Sequence, residues 1–172
     1  MARPMRAGAV LLALGCAGLF ACPGYKDGYF IKDNLKVHVA TLDGAQWKPV
    51  DFSGNDLAWV HVGTAHVLAM NATCDEHGDP SLQVLTAHLT FGFTDKELKT
   101  RAEKRIDGRE ALVSQYAAKL DGVEVELELV VLKKNGCVHD FMYVAPAGHL
   151  EEQRSAFDHL LAEFTAEKTD HG

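Results

Sequence analysis

Two short segments carry the residue types that do chemistry. Cys74-Asp75-Glu76-His77 sets a thiol and an imidazole three positions apart, and Cys137-Val138-His139-Asp140 gathers a thiol, an imidazole and a carboxylate. Together Cys74, His77, Cys137 and His139 form a set of four ligands of the kind that binds zinc. Cys137, His139 and Asp140 also have the composition of a nucleophile, a base and an acid that orients the base. Alternation weighs against that second reading, because on a strand Asp140 points to the face opposite Cys137 and His139. A third outcome is a disulfide between Cys74 and Cys137. The compartment decides among them.

Other catalytic patterns are missing from the chain. There is no Gly-x-Ser-x-Gly elbow, Ser-x-x-Lys, phosphate-binding glycine loop, Cys-x-x-Cys pair or His-Glu-x-x-His helix. The 9 histidines are scattered, with His61 and His66 in a strand region, His149 and His159 near the last helix, and His171 in the tail. Each reads individually as a surface or satisfied core histidine. Glu124, Glu126 and Glu128 alternate with aliphatic residues and read as a solvated sheet face, with a docking surface for a basic partner as the functional version.

The compartment is written in the first residues. Arg3 and Arg6 precede 15 uncharged positions, residues 7–21, which end in Leu19-Phe20-Ala21-Cys22. A charged start, a short apolar run and small residues at the cut mark an export signal, and the run is shorter than the roughly 20 residues a spanning helix needs. Leu19, Ala21 and Cys22 resemble the lipobox of a bacterial envelope lipoprotein, with Cys22 as the lipidated residue; Cys16 is a weaker second site. The resemblance implies a protein tethered to a membrane through an N-terminal lipid. Pro23, where an Asp often signals inner-membrane retention, points to the outer membrane, facing the periplasm.

Cutting before Cys22 leaves 151 residues, 15 of them basic and 24 acidic, which suits one domain. A net charge of −9 excludes a nucleic-acid footprint and a polybasic grip on lipid headgroups. An exported domain sits in an oxidising environment, so Cys74–Cys137 is expected as a disulfide, with no metal, cofactor or catalytic residues assigned.

Those residues must be held by elements that the pattern suggests. Residues 22–33 read as a tether and residues 167–172 as a frayed tail. Residues 57–62 and 66–70 read as strands separated by Gly63. Asp79-Pro80 reads as a helix start, with Leu82, Leu85, Leu89 and Phe93 on one face and Gly92 at its end. Residues 111–120, 124–131 and 137–144, joined by turns at Asp121-Gly122 and Asn135-Gly136, predict an antiparallel meander with Val125, Leu127, Leu129 and Val131 facing the core. Leu150, Phe157, Leu160, Leu161 and Phe164 predict a closing amphipathic helix. The expected fold class is α+β, an antiparallel β-sheet with flanking helices.

This order of elements resembles the PsbP/Mog-like α/β/α sandwich over residues 34–166. The resemblance rests on the helix from Pro80 to Gly92-Phe93, the segment Ile106-Asp107-Gly108-Arg109-Glu110-Ala111, the hairpin at Leu120-Asp121-Gly122, the strand after Cys137 and the helix ending near Phe164. It implies a non-catalytic module that binds or assembles with an envelope protein partner. A small-ligand or metal-binding lipoprotein, with a pocket between sheet and helix, is the alternative.

Overall fold

Hairpin turns organise the molecule. The computed structural model describes residues 25–52, 54–74 and 78–169, so the leader, Cys22, His77 and His171 lie outside the described residues. Strands β1 (Tyr29–Lys32), β2 (Leu35–His38), β3 (Trp47–Pro49), β4 (Leu57–His61) and β5 (Val67–Thr73) come first, followed by helix α1 (Leu82–Leu89). Next come the long strands β6 (Phe93–Ile106), β7 (Arg109–Leu120), β8 (Val123–Lys134) and β9 (Cys137–Pro146), then α2 (Arg154–Glu163) and β10 (Thr165–Lys168). Asp107-Gly108, Asp121-Gly122 and Asn135-Gly136 join β6 through β9, and all six residues have positive φ. That backbone matches the two-residue turns whose twist suits paired strands.

The strands form a seven-stranded sheet in the order β3-β4-β5-β9-β8-β7-β6 and a three-stranded sheet, β1-β2-β10. All pairings are antiparallel. On one face of the large sheet, Phe141, Tyr143, Val130 and Leu132 pack with Phe157, Leu160 and Phe164 of the α2 segment and with Phe30, Leu35 and Val37 of the small sheet. On the other face lie Val125, Leu127 and Val144, with α1 against β7 and β8. Helix, sheet and helix make the expected α+β sandwich.

Four expectations are corrected. The tether of residues 22–33 contains β1, because Phe30 is an apolar anchor buried in the main core. Within the tail, β10 pairs with β2 and includes Lys168. The first helix is capped by Ser81, whose Oγ accepts from the Val84 amide at 3.3 Å; Asp79 instead pairs with Lys133. The meander gains β6, whose residues between its two ends are all exposed. It is an edge strand crowded with Lys, Arg and Glu, so it lacks the apolar alternation that reveals a strand.

Candidate functional site

The two sulfurs are joined: Cys74 and Cys137 form a disulfide, with their Cα atoms 4.2 Å apart. The bridge fastens the exit of β5 to the start of β9. It uses both thiols, so neither is a zinc ligand or a nucleophile. Among the described residues no cluster of three or more His, Cys, Asp or Glu side chains is placed to hold a metal ion.

Alternation on β9 separates the remaining pair as expected. His139 points into the core face, fully buried beside the Phe164 ring at 5.1 Å between centroids, and among the described residues neither ring nitrogen has a hydrogen-bond partner. Burial holds its pKa down at about 4, so the imidazole is neutral. Asp140 points to the opposite face and lines a cavity beneath α1.

That cavity has a volume of about 470 Å³. Its walls are apolar: Leu85 and Leu89 come from α1, Val131 from β8 and Val138 from β9. The volume falls in the range of small-molecule sites, roughly 300–1,000 Å³. The polar groups are few. Asp140 is 9% exposed, Thr73 joins it from β5, and His88 stands on the exposed side of α1.

A hydrogen-bonded chain positions the carboxylate. Asn71 donates its amide to Asp140 Oδ1 at 3.1 Å and accepts from the Asp56 backbone amide at 2.9 Å. Asp56 in turn accepts from Lys32 at 2.7 Å and from the Ala72 amide at 2.8 Å. Lys32 is therefore committed to Asp56, and among the described residues Asp140 has no ion pair. Burial, the largest effect, pushes the Asp140 pKa up to about 6.

The acidic row is not a docking face. Glu128 is 1% exposed beneath Arg154 at the start of α2, and it accepts from Gln115 Nε2 at 2.8 Å. Glu126 accepts from the amides of Gly148 and Leu150 at 3.0 and 3.2 Å. These carboxylates secure the segment leading into α2, and only Glu124 remains exposed. The reason is that β8 lies inside a sheet covered on both faces, so its second face is not open to water.

Three scattered histidines do come together. His61 Nδ1 and His66 Nδ1 each lie 2.8 Å from Thr64 Oγ1, and His66 Nε2 lies 3.0 Å from the His149 carbonyl oxygen. The carbonyl requires a proton on His66 Nε2. In the neutral ring Nδ1 then accepts from Thr64, whose hydroxyl accepts from His61. The chain stitches the β4–β5 turn to the entry of α2. Only the short spacing of His61, Thr64 and His66 hinted at it; the contact with His149 is long-range. His159 stays exposed on α2.

No family model matches the chain, and no curated protein does. Solved structures do. LpqN of Mycobacterium tuberculosis, described as involved in cell envelope biogenesis, aligns at a TM-score of 0.56 and 10% identity, covering 77% of this chain and 83% of LpqN. Cyanobacterial PsbP (CyanoP) from Synechocystis sp. PCC 6803 aligns at 0.52 and 14% identity, covering 87% of this chain and 99% of its own. The fold is PsbP-like. Identities this low carry the fold alone, so the chemistry of the PsbP-like domain rests on its own residues.

Proposed function

We propose that this chain is an envelope lipoprotein, acylated at Cys22, whose PsbP-like domain is a non-catalytic binding module. One observation carries the binding reading: the apolar cavity between α1 and the sheet, with a buried carboxylate in its wall. It favours a small ligand over the protein partner that the acidic row suggested, because Glu126 and Glu128 are spent inside the domain. The non-catalytic reading is supported by Cys137, whose sulfur is bonded to Cys74, and by His139 and Asp140, which face opposite sides of the sheet.

The anchoring half rests on the lipobox. Acyl chains contribute roughly 0.8 kcal/mol per buried methylene, and two of them hold a protein stably at a membrane. Palmitate labelling in cells is expected to mark wild type and not Cys22→Ser, and globomycin should accumulate the precursor; an unlabelled wild type removes the anchor. For the binding half, native mass spectrometry of the protein taken from membranes is expected to show a copurified small molecule. A bare mass, with a discrete protein complex captured by crosslinking, would return the function to the assembly reading.

A further inference from the structure

We propose that the cavity beneath α1 takes an apolar ligand bearing a protonated amine, which pairs with Asp140. The inference rests on the cavity being the binding site and adds the chemistry of its occupant.

The charges around Asp140 do not balance. Asp140 is nine-tenths buried, yet Lys32, whose charge acts on it, is held by both oxygens of Asp56 at 2.7 and 3.0 Å. Of the two Asp140 oxygens, Oδ1 receives the Asn71 amide, and Oδ2 has no donor among the described residues. A buried carboxylate with one neutral donor is costly, and the usual remedies are a proton or a cation. Asp140 is aimed into a space lined by Leu85, Leu89, Val131 and Val138, and His88, the one other titratable group of the described lining, stands on the exposed side of α1 and makes no ion pair or hydrogen bond with it. A ligand can supply it.

The same wall sorts ligands by head group. A carboxylate or phosphate would set two anions together in an apolar space and is excluded. A hydroxyl satisfies Oδ2 without neutralising it. An ammonium does both, with Thr73 on the neighbouring strand within the same lining as a second polar contact. The aliphatic walls then select the apolar remainder by buried area.

The test uses n-octylamine, n-octanol and octanoate as probes, titrated calorimetrically into the purified full chain carrying Cys22→Ser. Octylamine is expected to bind about tenfold more tightly than octanol, with octanoate weakest, as befits a charge-assisted hydrogen bond. Asp140→Asn should abolish the preference for amine over alcohol, and Leu85→Trp should weaken both. The Asp140 carboxyl carbon resonance should move further with octylamine than with octanol, a readout independent of any variant's folding. Equal amine and alcohol affinity, unchanged by Asp140→Asn, would overturn the amine assignment while leaving the cavity as an apolar site. Binding that ignores Leu85→Trp, or no binding of any probe, would overturn the cavity reading itself and the amine assignment with it.

Discussion

His139 and Asp140 are sequence neighbours on β9 that are buried on opposite faces of one sheet, and their ionisations oppose each other. The imidazole is held down at about 4 and the carboxyl is pushed up to about 6, both chiefly by burial.

The signs give a pH prediction. His139 has a depressed pKa, so its contribution is present above 6.5 and is lost as pH falls toward 4. Asp140 has a raised pKa, so its contribution is present below 3.8 and is lost as pH rises through about 6. Each is worth about 3 kcal/mol at most. His139→Leu should be more stable than wild type at pH 5 and little changed at pH 8. Asp140→Asn should be more stable at pH 8 and unchanged at pH 4. Urea unfolding across that range checks both, and parallel profiles for all three proteins would contradict them.

The Arg154–Glu128 pair predicts strong coupling. Removing either partner strands the other, with Glu128 the more deeply buried. Glu128→Ala is expected to cost about 3 kcal/mol, and the double variant with Arg154→Ala less than the sum of the two. Additive losses in a double-mutant cycle would mean the contact is only superficial.

The disulfide closes a separation of 63 residues. Chain entropy assigns such a loop about 4 kcal/mol. The double variant Cys74→Ala, Cys137→Ala should unfold at correspondingly lower urea, and the oxidised protein should weigh two hydrogens less than the reduced form by mass spectrometry.

Residues 25–33 belong to the folded body. Phe30 packs with the main core, so Phe30→Ala should lose about 3 kcal/mol, the range for buried Phe truncation. A true tether would tolerate the change without a shift in melting temperature.

What could be read from the residues follows from how locally each feature is encoded. The Asp-Gly and Asn-Gly turns and the alternation of β8 are local, so the meander from β7 to β9 was legible. The opposed faces of His139 and Asp140 followed from strand geometry alone. Strand β6 was hidden because an exposed edge needs no apolar face. The roles of Glu126 and Glu128 were hidden because their partners, Leu150 and Arg154, are more than 20 residues away. The chain from His66 to His149 was invisible for the same reason. The cavity was anticipated only as a gap between helix and sheet; that Asp140 would stand in its wall without a cation depends on Lys32 being claimed by Asp56.

The small sheet has one more consequence. Its strands β1 and β10 flank β2, so the chain enters and leaves the fold through one three-stranded patch. Only Pro23 and Gly24 separate Cys22 from Tyr25, a slack of about 10 Å. A lipid attached at Cys22 would therefore sit within about 10 Å of Tyr25, the first described residue. The cavity under α1 lies on the opposite face of the large sheet from this patch, so a lipid held at Cys22 and an occupant of the cavity would be kept apart by the sheet.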